Sequence, residues 1–183
     1  MFNTRRIAII AMFVALATVL NIVERSIIIP GVHPGFKLGL ANVITLLSIL
    51  MLGSRDVFLV VAVRCFMGAL IGGNPVSFLF SFTGGMLSTL VMVIMWNYFR
   101  KLISIVKISM IGAVCHNIGQ LFIAALLAQS FHVYVFLPVL MISAVITGYI
   151  VGVLTKQVHK SLITRNIKIW TENQDKGHNT QFL

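Results

Sequence analysis

Three polar side chains interrupt one of the most apolar segments of the sequence. His116, Asn117 and Gln120 lie within MIGAVCHNIGQLFIAALLA. In a helix, residues four positions apart share a face, so His116 and Gln120 project together and Asn117 lies about 100° around the axis. Each of these groups is costly in lipid unless it meets a polar partner. The group indicates either hydrogen bonds between helices or a ligand site. A metal site is not expected, because no second His or Cys lies at ligand spacing.

A second candidate is Arg64, which lies in the middle of the apolar run VVAVRCFMGAL. An arginine at the centre of a membrane helix costs at least about 2.5 to 3.5 kcal/mol, so it must face the interior of a bundle or water. One interpretation makes it an internal counter-ion of Glu24 or of carbonyls at a helix end. The other makes it a cationic contact for an anionic ligand.

Further polar residues accompany these four in or beside apolar segments. Together they predict one pocket whose substrate carries an anionic or carbonyl-bearing head group, between apolar walls. The predicted substrate-binding residues are Lys37, Asn42, Arg64, Asn74, Ser81, His116, Asn117 and Gln120.

The elements that must position these residues are membrane helices. The chain has 183 residues, of which 58% are hydrophobic and 10% are charged, far from the composition of a soluble domain. Segments of about 17 to 25 apolar residues can cross a bilayer. We predict an all-α, polytopic bundle of six transmembrane helices over residues 1–160 and a basic, polar, partly disordered tail over 161–183. The expected spans are 7–23, 36–52, 57–73, 77–98, 108–129 and 133–155.

The basic residues predict the orientation of this bundle. With six spans the two termini share a side, and eleven of the 14 lysines and arginines fall on that side. The positive-inside rule therefore places both termini in the cytoplasm and the protein in the cell membrane. Because the basic residues flank spans and form no patch among aromatics, a nucleic-acid partner is not expected. The proline- and glycine-rich connection 24–36 then lies outside and covers the pocket.

The acidic residues argue against several kinds of enzyme. The sequence has only Glu24, Asp56, Glu172 and Asp175, and none forms a paired motif in a span. Magnesium-dependent diphosphate chemistry needs several convergent carboxylates. No phosphate-binding loop or activated nucleophile is present either. We therefore expect a protein without catalytic residues, metal or cofactor, which binds a small molecule and has no energy source of its own.

Small residues at four-residue spacing recur in several spans. Such spacing lets helix backbones approach closely in a membrane, and packing within the chain is the ordinary interpretation. Ala11 and Ala15 differ because they lie on the first helix, which we expect to be the least enclosed. They are candidates for docking a partner.

Four motifs together resemble the family called heptaprenyl diphosphate synthase component I, also called the Gx transporter family. They are PGFKLGLAN (34–42), GALIGG (68–73), SFTGGMLS (81–88) and HNIGQL (116–121). That family is similar to the substrate-binding S components of energy-coupling factor (ECF) transporters. The resemblance implies six helices, a substrate captured from outside, and docking through alanines of the first helix such as Ala11 and Ala15. The implied partners are a transmembrane T subunit and two cytoplasmic ATPases.

The resemblance leaves the role of the chain open between classes of protein. It implies an uptake subunit for a quinone-, isoprenoid- or vitamin-like molecule. The alternative family name implies a non-catalytic membrane accessory subunit of polyprenyl (heptaprenyl) diphosphate synthase or of quinone metabolism. An autonomous secondary carrier is a third possibility, disfavoured by the lack of a carboxylate relay across the spans.

Overall fold

The computed structural model describes residues 4–26, 39–72 and 75–164, and of residues 25 and 26 it describes the backbone alone. Every regular element in this part of the chain is helical, in agreement with the predicted fold class. Lys37, Asn74, most of the connection 24–36 and the tail from residue 165 onward lie outside the described residues. The elements are α1 (Thr4–Ser26), α2 (Leu40–Met51), α3 (Ser54–Gly72), α4 (Pro75–Phe99), α5 (Ile105–Ala128), a 3-10 helix (Phe131–Phe136) and α6 (Leu137–Thr164).

Four helical segments of the described chain are long and apolar enough to cross a membrane. They are Thr4–Glu24, Pro75–Phe99, Ile105–Ala128 and Phe131–Thr164. Helix α3 is shorter and carries Arg64 together with charges in its first turn. These helices define a multi-pass membrane protein.

The second predicted span, 36–52, is wrong at its beginning. Helix α2 begins at Leu40 and has 12 residues, so it is about 18 Å long and cannot cross a hydrocarbon core of about 30 Å. It begins there because Gly39 has φ 76°, a left-handed conformation that ends any helix entering from the N-terminal side. Apolar composition alone did not reveal this break.

Short helix α2 lies at the centre of the bundle. It packs against α1, α3, α4 and α6, and ten of its 12 residues are buried. Helices α3, α4, α5 and α6 pack in chain order around it, and α1 packs against α2 and α3. Helix α1 therefore lies at the periphery of the bundle, but it is not the least enclosed helix as predicted, because a smaller share of α5 is buried. The main core cluster joins α2 to its neighbours through residues such as Phe13, Leu46, Val57, Met92 and Ile108.

Glycines set the spacing of the long helices. A Cβ atom built at Gly119 would lie 2.9 Å from the Cα atom of Gly84 across the α4–α5 crossing. Cβ atoms at Gly148 and Gly152 would lie 2.7 Å from the Cα atoms of Met110 and Val106 across the α5–α6 crossing. The small residues of α4 and α6 thus pack within the chain, because any side chain there would separate two backbones.

An ion pair marks one end of the bundle. The guanidinium of Arg6, near the start of α1, donates two hydrogen bonds to the carboxylate of Asp56, in the first turn of α3. The Nε to Oδ2 bond is 2.9 Å long, and Asp56 is buried. A bidentate pair of this kind fixes both distance and orientation. It joins the first turns of α1 and α3 at the end of the bundle where the basic residues are concentrated.

Candidate functional site

A cavity of about 60 Å³ lies in the half of the bundle opposite the Arg6–Asp56 pair. All six α-helices contribute to its lining. This volume holds a few water-sized groups, which is enough for a small polar head group. The described lining residues are Asn21, Glu24, Gly39, Ala41, Asn42, Arg64, Cys65, Gly68, Ser81, Ala113, His116, Asn117, Gln120, Ser143 and Thr147.

Most of the residues predicted to bind substrate meet in this cavity. Six of the eight line it, although they come from four different helices. The other two, Lys37 and Asn74, lie outside the described residues. Whether the six bind a substrate stays a prediction. The six are Asn42, Arg64, Ser81, His116, Asn117 and Gln120.

Arg64 is 7% exposed and reaches the cavity from α3. Its Nη2 donates to Oδ1 of Asn42 on α2 at 3.3 Å. Its Nε is buried and has no hydrogen-bond partner among the described residues. A guanidinium has five N–H donors, so this one keeps donors in excess of those that the described protein groups use.

Arg64 and Glu24 share the cavity without forming an ion pair with each other. In the described part of the chain, the counter-ion interpretation therefore does not take the form of a direct ion pair with Glu24. Glu24 is 8% exposed, and its Oε1 accepts a hydrogen bond from the backbone N–H of Gly39. The carboxylate thus ties the end of α1 to the residue that precedes α2.

A chain of hydrogen bonds links Glu24 to Arg64 through the start of α2. Gly39 donates to Glu24 and accepts from the backbone N–H of Asn42 at 2.8 Å. The side chain of Asn42 in turn accepts from Arg64. The left-handed turn at Gly39 therefore positions both a carboxylate and a guanidinium at one cavity.

The polar residues of α5 divide into two kinds. Nδ2 of Asn117 donates to the carbonyl oxygen of Leu140 on α6 at 2.9 Å, so this amide joins two helices. Gln120 makes no hydrogen bond to the described residues, and it lines the cavity. His116 lies one turn before Gln120 and lines the same cavity. Gln120 thus has an amide available for a ligand, whereas the amide nitrogen of Asn117 is already used.

Four polar lining residues were missing from the predicted set: Asn21, Glu24, Ser143 and Thr147. The i, i+4 spacing of Ser143 and Thr147 in an apolar run was an available signal. Glu24 was predicted only as a possible counter-ion of Arg64. Because it lies just before a long loop, the sequence pattern did not indicate that its side chain faces the cavity. Its placement depends on the turn at Gly39.

The fold of the chain has a counterpart among solved structures. A solved structure described as the S component of a bacterial ECF transporter matches with a TM-score of 0.71 at 20% identity. The match covers 88% of this chain and 96% of that one. The protein is therefore a multi-pass membrane protein with the fold of an S component.

The sequence defines the family more narrowly. The family model described as heptaprenyl diphosphate synthase component I matches residues 13–158, which is most of the chain. The chain belongs to this family, in agreement with the resemblance carried by its four motifs. No curated protein matches the sequence.

Proposed function

We propose that the chain is the substrate-binding subunit of an ECF-type uptake transporter in the cell membrane. The observation that carries the proposal is a small cavity lined by all six helices in a protein with the S-component fold. The positive-inside rule places the cavity end outward, where a substrate would enter. The substrate is a small quinone-, isoprenoid- or vitamin-like molecule, and ATP is hydrolysed by partner subunits.

The exposed face of α1 supports a role in docking a T subunit. Ala11 and Ala15 are both exposed, and among the described residues α1 packs mainly against α2 and α3. Larger exposed residues flank the alanines, among them Met12 and Leu16. Small residues allow another helix to approach closely at this point.

Co-purification tests the docking role. The tagged chain is expressed with ECF T and ATPase subunits, and the complex is isolated in mild detergent. Ala11→Trp and Ala15→Trp should abolish association, because an indole prevents close helix approach. Ile142→Trp is the matched control, since Ile142 is 65% exposed on α6. Failure of the unaltered chain to associate, or normal association of both alanine variants, would refute the proposal.

Binding of substrate is tested at the cavity. Gln120→Ala, His116→Ala and Arg64→Gln should each weaken uptake of substrate by the assembled transporter without preventing assembly. Screening uses a panel of labelled quinones, isoprenoid alcohols and vitamins in cells expressing the complex. Uptake by liposomes that contain this chain alone would instead favour an autonomous carrier.

The family description favours one second candidate, a membrane accessory subunit of a polyprenyl diphosphate synthase. In that role catalysis belongs to a soluble partner. The two described acids, Glu24 and Asp56, lie near opposite ends of the bundle. Asp56 pairs with Arg6, and Arg6 lies about 27 Å from Glu24 along the axis of α1. They could not hold one magnesium ion together. Mixing the chain with a soluble prenyltransferase decides the matter, because an accessory subunit must stimulate chain elongation.

A further inference from the structure

Two buried charges of opposite sign line the cavity. Arg64 and Glu24 are 7% and 8% exposed, and no other Asp, Glu, Lys or Arg is among the described lining residues. No ion pair joins them directly, so the cavity lining carries one positive and one negative side chain. The described cavity is therefore balanced in formal charge before anything binds.

The hydrogen-bonding capacity of the lining is also mixed. Arg64 has donors to spare, with an unpartnered buried Nε among the described residues. Asn21 contributes a buried Oδ1 that likewise has no described partner, and it is an acceptor. One oxygen of Glu24 is occupied by Gly39, while its second remains an acceptor. A head group that suits this lining offers both an acceptor and a donor.

A diphosphate meets neither condition. It brings several negative charges and, when fully ionised, only acceptors. Next to Arg64 it would gain one attraction, but it would lie in the same small cavity as the carboxylate of Glu24, and like charges at short range repel each other. A cavity of about 60 Å³ leaves little room to separate the two.

We propose that Glu24 is a specificity-determining residue, which excludes diphosphates and restricts the cavity to head groups without net charge. This inference rests on the proposed function and narrows the anionic or carbonyl-bearing class expected from the sequence. Glu24 acts through its charge, and it also positions the start of α2 through Gly39. The two roles can be separated, because glutamine keeps the acceptor and removes the charge.

The test is the affinity of the purified chain for inorganic pyrophosphate, measured by calorimetry in detergent. The wild type should bind it weakly or not at all. Glu24→Gln should bind it at least about tenfold more tightly, as expected for removing a like charge at short range in a site of intermediate dielectric. The gain should disappear in Glu24→Gln/Arg64→Gln, which removes the attracting cation. Ser161→Lys is the matched control, because it changes the net charge equally at an exposed position of α6 far from the cavity.

Three results would overturn the inference. If the wild type binds pyrophosphate as tightly as Glu24→Gln does, the carboxylate of Glu24 does not select against this anion. Glu24→Gln that gains no affinity, while its helical circular dichroism matches that of the wild type, shows that something else excludes the anion. Wild-type binding that falls in Lys37→Gln would show that Lys37 outweighs Glu24. Association with the T subunit is measured on the same preparations, and its absence in the wild type counts against the proposed function alone.

Discussion

Gly84→Ala should destabilise the bundle at the crossing of α4 and α5. A Cβ atom at Gly84 would lie 2.8 Å from the carbonyl oxygen of His116 and 3.0 Å from Cγ of Gln120. Ordinary contact begins at 3.4 Å, so α5 must move away by about 0.6 Å. Overpacking of this kind costs about 1 to 3 kcal/mol, and the better helix propensity of Ala returns about 1 kcal/mol. Because the obstacle is backbone, we expect the overpacking cost to be about 2 to 3 kcal/mol, which leaves a net loss of about 1 to 2 kcal/mol.

Two other glycines provide controls for the same chemical change. Gly53→Ala adds a methyl group with nothing within 4 Å and should leave stability unchanged or slightly higher. A Cβ atom at Gly112 would lie only 2.5 Å from Sδ of Met92. That thioether can move to another rotamer, so Gly112→Ala should cost less than Gly84→Ala although the distance is shorter.

Unfolding in mixed micelles measures these differences. The fraction of SDS in dodecyl maltoside is increased while far-ultraviolet circular dichroism and tryptophan fluorescence are recorded. The double variant Gly84→Ala/Gly119→Ala should cost less than the sum of the two single changes, since one displacement of α5 relieves both contacts. If Gly84→Ala unfolds at the same SDS fraction as Gly53→Ala, the close backbone approach is not what holds this crossing, and the reasoning fails.

Two further predictions concern polar contacts between helices. Arg6→Gln should lower the free energy of unfolding, because it leaves the buried carboxylate of Asp56 without this partner. Asp56→Asn should lower it less, since Arg6 is 40% exposed and can be solvated. Equal losses in SDS unfolding would contradict this asymmetry. Asn117→Ala should cost about 0.6 to 1.7 kcal/mol, the range for hydrogen bonds between membrane helices, whereas Gln120→Ala should leave stability unchanged and weaken substrate uptake. The reverse pattern in the same two assays would assign the helix contact to Gln120.

Hydropathy and charge were sufficient to predict most of the fold. Long apolar runs, short connections and basic flanks indicated a six-helix membrane bundle, and the four motifs indicated its family. These signals can be read from the sequence because each segment that crosses a bilayer must itself be apolar and satisfy its own backbone hydrogen bonds. The choice of Arg64, His116 and Gln120 as candidates has the same origin, since a polar group in an apolar run needs a partner wherever it lies.

The partner of each polar group could not be predicted, because it is contributed by a residue far away in the sequence. Asn117 and Gln120 are similar amides three positions apart, but the first contacts a carbonyl of α6 and the second faces the cavity. The sequence could not distinguish them, since the difference depends on where α6 crosses α5. That crossing is in turn set by backbone contact at Gly148 and Gly152.

The sequence by itself therefore determined the kind of protein, most of its helices and the polar side chains that need partners. Tertiary structure alone decided that α2 is a short central helix and that Glu24 lies in the same cavity as Arg64. The physical reason is the left-handed turn at Gly39, which interrupts an apolar run without changing its hydropathy. It brings the end of α1, the start of α2 and the middle of α3 together through hydrogen bonds that no local pattern encodes.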